Sequence, residues 1–377
     1  MIGGTPRPVE RAAAPERTWG AMTARVTPRP TLQLGLAGFG QLARKYYVPA
    51  LRALNGVKLA AVVDPFEASR EAARAVFPRI AIEADPDALV RLGLDGVIVA
   101  SPPSTHLAFW NLAANAGVPV LLEKPFALRG ELRHAANGER ERRLLMLDLN
   151  RRFWPPYQQM RESVRGGMVG DLEFVEIRLH VDIRPWCSVT SHRLQSREGG
   201  VLYDLGSQAI DLARWIIGSE PRKVSASSAS HRWENDHVLV ELEFDRGVRT
   251  HCDLAYAEDA GERVTIKGTH GEIRLFDPNM AVHFGRLGTT GRSALGLARD
   301  LTVLCYRGLR RSHSMMRYSV AAALAAFANS ISYGLPFSPG YEDAVANAVW
   351  LDAAARSMEL GVPVTTGEAP RVSTDRG

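Results

Sequence analysis

The sequence predicts an α/β domain built on a doubly wound parallel sheet, followed by an α+β domain built on an open, mostly antiparallel sheet. Three observations carry this. Between residues 32 and 149, short apolar runs alternate with helical patterns, the rhythm of strand–helix–strand units. A glycine-rich turn, Gly38-Phe39-Gly40-Gln41-Leu42-Ala43, follows directly on the first apolar run. Beyond residue 220 the rhythm changes to extended runs near 222–230, 236–245, 248–256, 262–267 and 271–276, parted by turn residues such as Asp245-Arg246-Gly247.

The first run, Leu32 to Ala37, reads as a strand, and the pattern through Leu51 and Leu54 as a helix. The turn between them has the spacing G-x-G-x-x-A. Gly38 permits a bend that a side chain would block. Gly40 lets the backbone approach a pyrophosphate, and Ala43 lets the helix pack close to the strand. The helix N-terminus then offers free N–H groups and a partial positive charge to the phosphates. The second run, Lys58 to Val63, ends at Asp64, where a carboxylate meets the ribose hydroxyls of a dinucleotide.

The alternation continues. Glu67 to Val76 is helical, Ile80 to Ile82 a short strand, and Asp85 to Leu92 a short helix capped by Asp85. Gly96 to Ala100 is apolar on both faces, as a buried parallel strand is. It ends in Ser101-Pro102-Pro103, and Thr105 to Ala116 forms the next helix. Val118 to Leu122 is a strand ending at Glu123-Lys124-Pro125, residues 128–137 are helical, and Leu144 to Leu149 is a further strand. Gly38, Asp64, Ser101 and Glu123 all follow strand ends, so they line one edge, where ligands of such sheets bind. In the second half, Phe153 to Arg165 and Leu202 to Ile217 read as helices and Leu172 to Val181 as a long strand. Two helices, 317–333 and 341–360, close the chain. Residues 285–316, with Arg307, Arg310, Arg311 and Arg317 in or beside them, read as a loop or an interface arm.

At 377 residues the chain accommodates two domains: 31–150 and 151–368. Residues 1–30 are rich in Pro, Ala and Arg without apolar periodicity and read as a disordered extension; 369–377 reads as a flexible tail. A mis-assigned start, with Met22 the true one, or a mitochondrial-type presequence are alternative accounts of the first segment. Apolar content of 46% and charged content of 23% are those of a soluble globular protein, and no segment has the length of a membrane span. Cys187, Cys252 and Cys305 lie far apart with no C-x-x-C pair, which points to a reduced, cytoplasmic protein without structural zinc. The net charge is +5, but five arginines against two glutamates in residues 1–30 account for +3 of it. The remainder is too small to suggest nucleic acid as a partner.

Taken together, these residues resemble the Gfo/Idh/MocA oxidoreductases, the family of glucose–fructose oxidoreductase and inositol dehydrogenase. The resemblance spans roughly 32–365. It rests on Gly38–Ala43, Ser101-Pro102-Pro103 with His106, Glu123-Lys124-Pro125, Asn150-Arg151-Arg152-Phe153, Gly170-Asp171-Leu172 and Gly199 to Gly206 in this order. It implies a nicotinamide cofactor on the first domain, with Gly38, Phe39, Gly40, Gln41, Leu42, Asp64, Ser101, Pro102, His106, Glu123, Lys124 and Arg152 about it. It also implies a sugar, cyclitol or nucleotide-sugar substrate, and a homodimer or homotetramer packed through the second sheet. Lys124 then sits beside the reacting carbon, where an ammonium stabilises the charge that builds on a carbinol oxygen as a hydride leaves.

One position departs from the family pattern of Asp, then His four residues on, then Asp three further. Asp204 and Asp211 are present, but position 208 is Gln. Gln cannot exchange a proton near neutral pH, whereas His can. Gln208 can still bind a hydroxyl, and Lys124, Asp204 or Tyr203 is left to handle the proton. The leading expectation is an NAD(H)-dependent oxidoreductase with Lys124, Asp204 and Gln208 in the catalytic site. A cofactor that stays bound and is recycled, and a non-catalytic dinucleotide-binding protein, are the alternatives. His180, His192 and His231 have nothing in the sequence to place them in the site. NAD(H) is expected over NADP(H), because Asp64 would face a 2′-phosphate and Pro65-Phe66 supplies no cation; Arg70 is the nearest one that could.

Overall fold

The structure is a computed structural model that describes residues 31–184, 193–194, 199–276, 282–285 and 315–365. The expectations for 1–30 and 369–377, and for Arg307, Arg310, Arg311, His192, Cys187 and Cys305, lie outside the described residues.

The first sheet holds β1 (Leu32–Ala37), β2 (Val57–Val63), β3 (Ala81–Glu83), β4 (Gly96–Val99), β5 (Val120–Leu122) and β6 (Leu145–Leu147). Their order is β3-β2-β1-β4-β5-β6, all parallel. Between them run α1 (Val48–Ala53), α2 (Glu67–Val76), α3 (Ala88–Arg91), α4 (His106–Ala116) and α5 (Glu139–Arg142). All four residues of β4 are buried, as a strand covered on both faces requires. A Cβ at Gly35 would come within 2.6 Å of Leu94 Cδ1, so the chain passes there only as glycine.

The helix expected over 128–137 shrinks to one 3₁₀ turn, Leu132–His134. Gly130 takes φ +70°, a left-handed conformation that ends helical propagation. Elsewhere the expected elements differ by a few residues at their ends.

The second sheet contains β7 (Leu172–Val181), β8 (Lys223–Ala229), β9 (His237–Glu243), β10 (Arg249–Tyr256), β11 (Gly261–Gly268), β12 (Gly271–Phe276), β13 (Val282–Gly285) and β14 (Val364–Thr365). The order is β13-β12-β11-β7-β10-β9-β8-β14, antiparallel except for the β7–β10 pair. One face alternates apolar and buried: Val175, Ile177 and Leu179 on β7, Cys252 and Leu254 on β10. It packs on α6 (Pro155–Arg165), α7 (Ser207–Ile217) and the last helices. The other face carries polar and half-buried residues, including Arg178, His180 and Asp253.

The closing helices, α8 (Met315–Tyr333) and α9 (Tyr341–Leu360), join the two sheets' cores. Val320, Leu324 and Phe327 of α8 pack into the core of the first sheet with Leu34 and Leu36. Along α9, Tyr341 and Ala344 belong to the first sheet's other face, whereas Trp350 and Leu351 belong to the second domain's core. Among the described residues no helix is long and apolar enough to cross a membrane.

Candidate active site

The carboxyl ends of β1, β2, β4 and β5 bring Gly38, Asp64, Ser101 and Glu123 to one edge of the first sheet. Gly38 lies at φ +87°, and a Cβ there would stand 2.8 Å from the Ala100 carbonyl oxygen, so glycine is required. At Gly40 nothing lies within 4 Å of where a Cβ would be. That open space beside bare backbone fits the approach of a pyrophosphate. Ala43 is fully buried under the helix that follows. The side chain of Phe39 is buried edge-on against Phe77, and its amide donates to Asp64 Oδ2 at 2.8 Å. The other Asp64 oxygen accepts the Phe66 amide at 2.9 Å. Two backbone donors thus lock the carboxylate at the strand end, with lone pairs left for a ribose diol. Arg70, the cation of concern for cofactor choice, donates to the backbone carbonyls of Asp64 and Pro65 at 2.8 and 2.7 Å and pairs with Glu67. Gln41 and Leu42 lie partly exposed on the turn. These residues fit a dinucleotide.

Ser101 and Pro102 form the next loop, with Ser101 Oγ 2.6 Å from Thr105 Oγ1. Behind it His106 is buried, its Nδ1 2.6 Å from the Pro125 carbonyl oxygen and its Nε2 3.0 Å from that of Ser101. The imidazole therefore stitches the Ser-Pro-Pro loop to the Glu-Lys-Pro turn from below. Burial pushes its pKa down, against the two carbonyls, which favour the charged ring.

Lys124 reaches from this edge into the second domain. Its Nζ donates to the Asp204 backbone carbonyl at 3.0 Å and forms an ion pair with the Asp204 carboxylate. Asp204 sits in a π-helical turn, Leu202–Gly206, that leads into α7. Such turns widen a helix locally and occur at functional sites. Tyr256, the last residue of β10, donates its hydroxyl to Asp204 Oδ2 at 3.0 Å, and Arg193 Nε lies 3.7 Å from the same oxygen. Burial by itself would raise the Asp204 carboxyl. The charges of Arg193 and Lys124 and the hydrogen bonds from Lys124 and Tyr256 outweigh it and hold the pKa well below the usual carboxylate range. Asp204 is thus a permanent anion and a poor proton acceptor.

Glu123 turns the other way, into the first domain. Its Oε1 accepts the Tyr47 hydroxyl at 2.8 Å, and the same hydroxyl contacts Asp148, which is fully buried. Tyr47 is in the π-helical turn Ala43–Tyr47 after the glycine loop.

Gln208, Tyr203 and Arg152 complete the expected set. Gln208 is buried one helical turn beyond Asp204, and its Oε1 has no hydrogen-bond partner among the described residues. Tyr203 donates to Asp352 of α9 at 3.1 Å, on a different side from Lys124's partners. Arg152 commits its guanidinium to Asp211 of α7, with Nε 2.8 Å from Oδ2, and to Asp343 of α9 at 2.7 Å. It ties two helices together in the buried interior. His180 and His231 fall on the polar side of the second sheet and its adjoining loop, away from Lys124.

Tyr47, Asp148, Arg193 and Tyr256 were not anticipated. They are 101 residues apart in one case and meet the motif only through folding. The one available signal was that Tyr256 ends a strand, and many tyrosines do.

A glycine cradle, an acid at the second strand end and a lysine paired across a domain boundary define a dinucleotide-dependent hydride-transfer class. Comparison with known proteins agrees. The profile described as "Oxidoreductase family, NAD-binding Rossmann fold" matches residues 32–143, and that of the "GFO/IDH/MocA C-terminal domain" matches residues 157–274. The rhizopine catabolism protein MocA of Rhizobium meliloti is 32% identical over 261 residues, 69% of this chain and 76% of that one. Inositol 2-dehydrogenase of Rhizobium meliloti (strain 1021) is 26% identical over 344 residues, 87% of this chain and 97% of that one. Among solved structures, a myo-inositol dehydrogenase from Corynebacterium glutamicum superposes with TM-score 0.72 at 22% identity, covering 90% of this chain and all of that one. The WlbA dehydrogenase from Bordetella pertussis, solved with NADH and UDP-GlcNAcA, superposes with TM-score 0.75 at 17% identity over 90% and 99%. The chain belongs to the Gfo/Idh/MocA oxidoreductase family, whose inositol dehydrogenases act on CH–OH groups, and its first domain is an NAD-binding Rossmann fold.

Proposed function

We propose that this protein is an NAD(H)-dependent dehydrogenase of a cyclitol or sugar, with Lys124 as its acid–base residue. The observation that carries the reading is the lysine itself. Its Nζ leaves the ligand edge of the first sheet and is held by both the carbonyl and the carboxylate of Asp204. The nicotinamide, when bound, takes or gives the hydride. In the reducing direction the Lys124 ammonium polarises the substrate carbonyl and gives its proton to the forming alkoxide; in the oxidising direction, the reverse of the same step, the Lys124 amine takes the carbinol hydroxyl proton as the hydride departs and the carbonyl forms. Asp204, held anionic, orients the ammonium. The unmet Gln208 amide oxygen accepts a substrate hydroxyl, a hydrogen-bonding role that the family's usual His would combine with proton exchange. The test is steady-state turnover with NAD⁺ on a panel of inositols and aldoses. Lys124→Ala should lower kcat by at least ~10²-fold, and near-normal turnover would sink the assignment. The relatives lend no support to a recycled cofactor or to a non-catalytic binder.

NAD(H) over NADP(H) belongs to the same proposal. Asp64 is held in place by two amides, and Arg70 is engaged by three acceptors. A 2′-phosphate would meet a fixed anion, with Arg70 already committed to other acceptors. Dissociation constants at one salt concentration should favour NAD(H), and Asp64→Ser should narrow the gap by removing the repulsion. A homodimer or homotetramer and a cytoplasmic location complete the proposal. They rest on the resemblance and on the scattered cysteines, and light scattering reads the first.

A further inference from the structure

We propose that His180, His237 and Asp253 form a binding site for a divalent first-row transition metal, Zn²⁺ being the natural probe, on the polar face of the second sheet. The three donors come from adjacent strands β7, β9 and β10. In the sheet register His180 and His237 are both directly opposite Ala255, one on each side. Ala255 offers only a methyl group, so the two imidazoles stand over it with ring centroids 6.0 Å apart. Asp253 is two residues earlier on the same strand and therefore on the same face. Its Oδ1 lies 2.9 Å from His180 Nε2 and 2.8 Å from His237 Nε2. One potential ligand atom from each residue falls within 4.8 Å of the other two.

Metal–donor bonds near 2.0–2.1 Å put tetrahedral neighbours about 3.3 Å apart, so small side-chain movements admit an ion. Two imidazoles and a carboxylate with an open fourth position suit Zn²⁺ and its neighbours and do not suit Mg²⁺. The site is sheltered: the side chains are 10%, 32% and 27% exposed for His180, His237 and Asp253. It opens into a cleft lined also by His231 and Asp236, and the His231 ring is 5.8 Å from that of His237. This face is opposite the one from which Tyr256 reaches Asp204, so the ion would be separate from the hydride-transfer site.

One group opposes the ion. Arg178 Nη2 lies 2.8 Å from His180 Nδ1 and donates to it, which keeps the proton on Nε2. For Nε2 to ligate, the proton must move to Nδ1. Asp259 Oδ1 lies 4.0 Å from Nδ1, beyond hydrogen-bond distance, and would have to approach to accept that proton; Arg178 pairs with the other Asp259 oxygen at 3.0 Å. With Asp259 on Nδ1 the set would become a carboxylate–histidine–metal arrangement, which fixes a ligand's tautomer. Arg178, whose Nε also stands 3.8 Å from Asp253 Oδ2, competes with the ion at both ligands.

The experiment uses tag-free, chelator-stripped full-length protein. Zn²⁺ is titrated by equilibrium dialysis with elemental analysis, with Mg²⁺ as control and Co²⁺ as an absorbance probe. The same titrations are run on Arg178→Gln. The proposal expects one Zn²⁺ per chain, a Co²⁺ visible spectrum of tetrahedral type, and no competition from excess Mg²⁺. The His180→Gln/His237→Gln variant should lose more than the ~10- to 100-fold that an outer-shell change costs, while its metal-free melting curve and dehydrogenase turnover stay as in the wild type. If neither the wild type nor Arg178→Gln binds an ion that depends on these two histidines, the proposal is wrong.

Discussion

Two buried carboxyl groups stand on either side of the Glu123-Lys124 step, and they hold opposite charge states. Asp204 faces Lys124, Arg193 and the Tyr256 hydroxyl. Asp148 faces another carboxyl, Glu123, with only the Tyr47 hydroxyl between them. Burial pushes both upward. At Asp204 two cations reverse the sign; at Asp148 the neighbouring Glu123 charge adds to it, and the pKa rises well above the usual range. Glu123 is raised too, by burial first, with Lys124 opposing. One Tyr47 proton cannot satisfy two carboxylates, so the Glu123–Asp148 pair retains a proton and titrates as a unit. Burial therefore does not set the charge of a carboxyl here; the partner does. A carboxyl whose pKa is held low stands on the second-sheet side of the motif, and two carboxyls whose pKa values are raised stand behind it.

The largest break in this comparison is Asp204→Asn. It takes the Asp204 charge away from Lys124 and Arg193 and frees the ammonium from its orientation. Turnover should fall by ~10²-fold or more, and stability by about 3 kcal/mol, read from urea unfolding. Unchanged turnover with normal folding would mean that Asp204 does not orient the lysine.

Tyr47→Phe comes next. It removes the one hydroxyl shared by Glu123 and Asp148 and should cost about 1–3 kcal/mol of stability. Because Tyr47 lies behind the motif, the loss in kcat should be smaller than the ~10²-fold of an acid–base residue. A larger turnover defect than that of Asp204→Asn would invert the two regions' roles.

Asp148→Asn has the smallest effect at low pH and the most informative pH dependence. The folded pKa of Asp148 is raised above its unfolded value. Its contribution is fully present below the ordinary carboxylate range and is lost as pH rises through the folded pKa. An amide cannot ionise, so the variant should lose less stability than the wild type as pH increases, and the two melting temperatures should diverge in its favour toward alkaline pH. Parallel curves would show that the buried pair carries no proton. Asp204 has the opposite sign: its contribution is present above the ordinary range and is lost only in strong acid.

Much of the site was legible because its information is local. G-x-G-x-x-A, the acid closing β2, Ser-Pro-Pro and Glu-Lys-Pro each sit within a few residues of a strand end, and a parallel sheet gathers its strand ends at one edge. The extended runs of β7 and β10 were equally plain. What failed was also local in cause. Gly130 cut the helix expected over 128–137. Other features depended on distance in sequence. Arg152 stands next to a motif yet spends its guanidinium on Asp211 and Asp343, acids 59 and 191 residues away.

The chain's own order of residues thus determined the fold class, the family and the glycine turn after the first strand, and it put Lys124 just beyond the end of β5. Hydrophobic periodicity and turn chemistry act over a few residues, and strand ends inherit their position from them. Only the tertiary structure decided that Asp204 faces two cations, that Asp148 and Glu123 meet at one Tyr47 hydroxyl, and that His180, His237 and Asp253 meet on one sheet face. Each of these depends on which charge stands within a few ångströms of which other. Coulombic and hydrogen-bonding partners are set by strand register and helix packing across tens to hundreds of residues, and no spacing along the chain encodes them.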